Sequence, residues 1–111
     1  MAEQAPRCTA AAWLLAALFP CVASAAGFDQ VQRVIDERCT VCHSAHPTSS
    51  LFGSAPAGII FDTPQQIQLM APRIQAQAVD SEIMPLGNLT NMTAQERQLL
   101  KDWIAAGAKA D

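Results

Sequence analysis

Basic residues are scarce in this chain of 111, where 7 lysines and arginines stand against 10 aspartates and glutamates for a formal net charge of -3. A protein that grips nucleic acid through its phosphates needs the opposite balance, which argues against that class of partner. The chain also lacks charge runs, internal repeats and a glycine-rich phosphate loop, and it has almost no strand signal. What is present is 50% apolar and 15% charged. That mixture is too hydrophobic for a disordered tail, and the length allows one small domain. Cysteine is sparse as well: of the 4, Cys8 and Cys21 fall within the first 25 residues, and only Cys39 and Cys42 follow.

The apolar content is uneven. Arg7 sits in a short polar head, Trp13 to Phe19 form an apolar run, Pro20 breaks it, and Ala23-Ser24-Ala25 follows. These are the three parts of a secretory signal, with small residues where a signal peptidase cuts. A run interrupted by proline falls short of the roughly 20 residues that span a bilayer, so cleavage after Ala25 is expected rather than retention as an anchor. Residues 1–25 are thus read as a leader and 26–111 as the working domain, exported to the periplasm with no stable membrane span.

In that domain Phe28, Val31, Val34 and Ile35 recur at helical spacing and predict a first helix over about 29–38. Residues 44–58 are broken by Pro47, Gly53, Pro56 and Gly58, carry no charged residue, and read as a loop. Ile59-Ile60-Phe61 is a short extended run. Thr63-Pro64-Gln65-Gln66 has the elements of a capping box with proline at the first helical position, which predicts a second helix from there. Pro72 interrupts its stripe of Ile67, Met70 and Ile74, so a kink or two short helices over 64–79 are expected. Residues 80–92 form another loop. A second capping box at Thr93-Ala94-Gln95-Glu96 opens a terminal helix over about 94–106, with Leu99, Leu100, Trp103 and Ile104 inward and Gly107 ending it. The fold class is small and all-α.

Cys39-Thr40-Val41-Cys42-His43 is C-x-x-C-H, the attachment pattern of c-type haem. Two thiols at this spacing add to the two vinyl groups of one porphyrin, and the next residue sets an imidazole beneath the iron. A thioredoxin-like pair needs a βαβ setting that the chain lacks. A zinc site drawn from Cys39, Cys42, His43 and His46 would crowd four ligands into eight residues, where zinc modules usually take two separated pairs. Haem attachment through Cys39 and Cys42 with His43 as proximal ligand is therefore the expectation. A haem would also supply the surface that so thin a core wants, with Leu51, Ile59, Ile60, Phe61 and Leu69 packed on it.

The distal ligand must come from the C-terminal half. Met84 ranks first, on a loop of turn-forming residues beside the rigid Pro85. Met92 on the same loop is the alternative, and Met70 belongs to a helical stripe and reads as core. His46 lies too near His43 to reach the other haem face and reads as a solvated loop histidine. Trp103 is expected to lock the terminal helix across the first, near Phe28 and Val31. Arg73 has two readings, a partner for a haem propionate or a solvated helix cation.

A motif that follows the first helix of the domain resembles class I cytochromes c, not the four-helix c-prime type, in which it lies near the C-terminus. More narrowly, Arg38 to Ser44, Phe61 to Ile67, Met84 to Thr93 and Trp103 to Gly107 are similar to the cytochrome c domain that ends the bacterial membrane-bound urate oxidase. The resemblance implies a haem c protein that receives electrons released when a membrane part oxidises urate. This chain is expected to carry a leader where that family has its membrane part. The expectation is accordingly a monomeric single-electron carrier and not an enzyme, either a detached acceptor for such an oxidase or a general carrier serving other redox partners such as a terminal oxidase. A haem enzyme or a gas or redox sensor with a labile distal ligand is the rival reading.

Overall fold

The computed structural model describes residues 27–110. The leader read over residues 1–25 lies outside them. Among the described residues all regular structure is helical. Helix α1 spans Phe28–Arg38, α2 Pro64–Leu69, α3 Ala71–Ile74 and α4 Ala94–Ala105, and α3 runs on into a π-turn over Gln75–Val79. No helix among these residues is long and apolar enough to cross a membrane.

Local chemistry sets most of the boundaries. Thr63 accepts from the Gln66 N–H at 3.2 Å while the Gln66 side chain accepts from the Thr63 N–H at 2.9 Å. Thr93 and Glu96 repeat the exchange at 3.1 and 2.9 Å. Both boxes satisfy donors that a helix start leaves unpaired. At the far end of α4 the Gly107 N–H donates to Ile104 O and the Ala108 N–H to Trp103 O, each at 3.0 Å, which is a Schellman stop. Gly107 sits at φ +110°, a conformation a β-carbon disfavours.

The interruption expected from Pro72 takes the form of two short helices, which part at Met70, where φ is -94° and ψ 7°. The proline ring would clash with the carbonyl four residues back in a continuous helix. The chain avoids this by ending α2 at Leu69 and taking Pro72 into the first turn of α3, where its missing N–H costs nothing.

Val31, Ile35, Ile67 and Leu100 are fully buried at the centre of the core. Phe28, Val34, Phe61, Ala71, Ile74, Ala78, Met92 and Trp103 surround them. The Trp103 ring lies 5.8 Å from Phe28 between centroids, so α4 crosses α1 as its apolar stripe requires. The indole N–H is also satisfied, donating to Lys109 O at 2.8 Å. Leu69 departs from expectation. It is 75% exposed, because Ile67 faces inward and a residue two further on points the other way.

Candidate functional site

The C-x-x-C-H segment continues α1 as one further turn. Cys39 caps the helix, its N–H donating to Ile35 O at 2.9 Å, and its own carbonyl accepts from Cys42 N–H at 3.2 Å and His43 N–H at 2.8 Å. Both cysteines are free thiols in half-buried residues. Burial pushes the Cys39 thiol up to about 12, against an opposing pull from the positive charge of Arg97.

His43 is oriented by backbone. Its Nδ1 lies 2.9 Å from Ile59 O, its ring meets Phe61 edge-on at 5.4 Å, and the Phe61 N–H donates to His43 O at 2.9 Å. When Nδ1 donates to that carbonyl, the lone pair is on Nε2 and available as a ligand. Ile59 is extended, at φ -90° and ψ 120°, and the run from Ile59 to Phe61 clamps the imidazole. The loop before it is pinned by Asp62, which accepts from the Ala45 N–H at 2.8 Å. That bond, with a smaller one from Ser44, holds the Asp62 carboxyl below its usual range.

Beside the motif lies a cavity of about 310 Å³. Cys39, Cys42 and His43 line it together with Met84, which arrives from the loop before α4. Phe52, Ile59, Phe61, Ile74 and Ala78 supply apolar wall. Leu86 and Leu89, 51% and 60% exposed, belong to its rim. Of the residues expected to pack on a haem, Ile59 and Phe61 line this cavity, whereas Leu51, Ile60 and Leu69 do not. Its charged lining residues are Arg38 and Arg73, with no carboxylate among them. A flat apolar macrocycle with anionic arms fits such a donor set and wall.

The two methionines of the 80–92 loop are separated sharply. Met92 is 4% exposed inside the core and does not line the cavity. Asn88 explains its placement, because its side chain accepts from the Met92 N–H at 2.9 Å and donates to Met92 O at 3.2 Å. Asn88 and Asn91 adopt positive φ, 48° and 61°, a region asparagine tolerates better than most residues. Met84 is held at both backbone ends: its N–H donates to Gln77 O at 2.8 Å, and its carbonyl accepts from Arg97 at 2.9 Å. Met70 packs against the core, and His46 is exposed and off the cavity.

Two arginines shape the site in ways the sequence reading missed. Arg38, directly before Cys39, donates to both oxygens of Glu96 at 2.9 and 3.1 Å and to Thr90 O at 2.6 Å, while the Thr90 hydroxyl returns a bond to Arg38 O at 2.9 Å. This ties the motif to the methionine loop and to the start of α4. The bond from Arg38 holds the Glu96 carboxyl below its ordinary value. Arg97 is the second. A clue to it was present, since it lies three residues before Leu100 on the inward side of α4, where a long side chain can lay its stem on the core. Arg73 is exposed at the cavity.

No family model matches this chain, and no curated protein or solved structure is significantly similar to it.

Proposed function

We propose that the protein is a periplasmic class I cytochrome c that carries single electrons between redox partners. The observation that carries this reading is one apolar cavity lined by both thiols of the C-x-x-C-H segment, by His43, and by Met84, which comes from a loop far along the chain. Cys39 and Cys42 would hold a haem covalently, with His43 and Met84 as its axial ligands. The haem, when bound, supplies a one-electron iron couple.

The chain's own residues do the rest. Ile59 O holds Nδ1 of the imidazole, which leaves Nε2 free to serve as a ligand. The Met84 backbone is bonded at both ends, which keeps the thioether from wandering. Phe52, Phe61, Ile74 and Ala78 exclude water from the wall, and a dry site with a thioether ligand favours ferrous over ferric iron relative to a second imidazole. If His43 and Met84 both held the iron, no place would remain there for a substrate, which fits a carrier better than a catalyst. Arg73, exposed at the cavity, gives the lining a positive group suited to a propionate, while the charge of Arg38 is spent on Glu96. For the electron donor we propose a membrane-bound urate-oxidising enzyme, on the resemblance of the four segments named above to that family's cytochrome domain.

Exposure of the reduced protein to CO at neutral pH tests the carrier reading. An unchanged spectrum is expected, with reversible one-electron titration. Prompt CO uptake would replace the carrier by a sensor or enzyme with an open iron.

A further inference from the structure

Arg97 is a half-buried cation that spends one nitrogen on two backbone carbonyls. Its Nη1 donates to Ala78 O at 2.8 Å and to Met84 O at 2.9 Å. Both acceptors need explaining. Ala78 lies in the π-turn that ends the central helical segment, where the last carbonyls have no partner within the helix. The next step along the same turn is used too, since Gln77 O takes the Met84 N–H at 2.8 Å. A helix end and a loop strand are thus joined by two bonds, one made by backbone and one by a side chain from α4. The only salt bridge among the described residues is that of Arg38 with Glu96, so the charge of Arg97 is not spent on a carboxylate there. A partly buried guanidinium directed at carbonyls is costly to desolvate, which makes it an odd choice for packing alone.

We infer that Arg97 is a positioning residue for the distal ligand, holding the Met84 backbone so that its thioether stays at the cavity, and that it thereby governs how readily an outside ligand displaces Met84. This deepens the cytochrome reading and rests on it. Hydrogen bonds from a charged donor are worth more than neutral ones, so removing them frees the loop at the segment that carries the sulfur. The core beneath is left in place, because Met92 is fastened independently by Asn88.

The test uses holoprotein matured in a host with haem-attachment machinery, and reads the rate at which added imidazole binds the ferric form. That rate reports departure of the native ligand, which a general loss of stability does not select. Arg97→Gln should bind imidazole about tenfold faster or more, the loss expected for charged hydrogen bonds. Arg97→Lys retains the charge and a donor and should recover much of the difference. If Arg97→Gln does not fold, Arg97→Lys alone should still exceed the wild-type rate. Leu99→Ala weakens the same helix without touching Met84, and should stay within about twofold of wild type. The amide of Met84 should exchange its hydrogen faster in the Arg97 variants than in Leu99→Ala. Wild-type rates in both Arg97 variants, or an equal acceleration in Leu99→Ala, would overturn the inference. Met84→Ala separates this from the underlying reading: if it binds imidazole no faster than wild type, Met84 is not the ligand, and the cytochrome assignment of that residue is what fails.

Discussion

Nδ1 of His43 lies 2.9 Å from the carbonyl oxygen of Ile59, and the neighbouring Phe61 ring closes on the imidazole edge-on. One short extended run therefore both orients the histidine and covers it. Phe61 is 7% exposed, so Phe61→Ala leaves a void and should cost about 3–5 kcal/mol by denaturant titration. Phe61→Leu refills most of that space and should cost clearly less. A near-neutral Phe61→Ala would mean that the ring does not pack as described.

The two loop methionines should respond oppositely. Met84→Ala removes a side chain from the cavity and should lower the potential, abolish the weak thioether-to-iron charge-transfer band of the ferric protein and admit CO. Met92→Ala should leave all three unchanged and instead lower folding stability by about 2–5 kcal/mol, because that side chain is buried in the core. Spectra and denaturant curves of the two variants check this. The reverse pattern would make Met92 the ligand.

Glu96→Gln keeps the capping geometry at Thr93 but removes the charge facing Arg38. The Glu96 carboxyl is held below its ordinary value by Arg38, so its contribution is full above the unfolded carboxylate range of about 4.3 and disappears as pH falls through the lower folded value. The stability difference between wild type and Glu96→Gln should accordingly be flat from pH 6 to 8, roughly, and shrink in acid. Thermal melts from pH 8 down into acid measure it. A difference that persists undiminished at low pH would show that the charge is not what matters.

Gly107→Ala should cost about 1–2 kcal/mol, since φ +110° is strained for an alanine although nothing crowds the position, the nearest atom to an added β-carbon being 3.6 Å away. Denaturant titration against Gly53→Ala, where φ is not positive and space is open, isolates the backbone effect.

What was legible in the sequence was local. Both capping boxes, the helix stop at Gly107 and the inward stripes of α1 and α4 follow from residues within a turn or two of each other, and they appear where their spacing puts them. The proline break was legible too, since of the kink or pair of short helices that Pro72 predicts over 64–79 the chain takes the pair, ending one helix at Leu69 and starting the next at Ala71. Met84 and Met92 share a loop, and periodicity cannot rank them. They are told apart by the Asn88 side chain, which folds Met92 inward. The tie between Arg38 and Glu96 was not legible, because 58 residues separate them, a distance at which no spacing rule operates.

If the cavity beside the C-x-x-C-H turn holds one haem bound through Cys39 and Cys42, intact mass under denaturing conditions will reveal it. Protein matured in a haem-attaching host and extracted with acid-acetone should weigh as the chain plus one haem, and Cys39→Ala with Cys42→Ala should weigh as the chain alone. Wild-type protein whose mass carries no haem after that extraction would contradict the account.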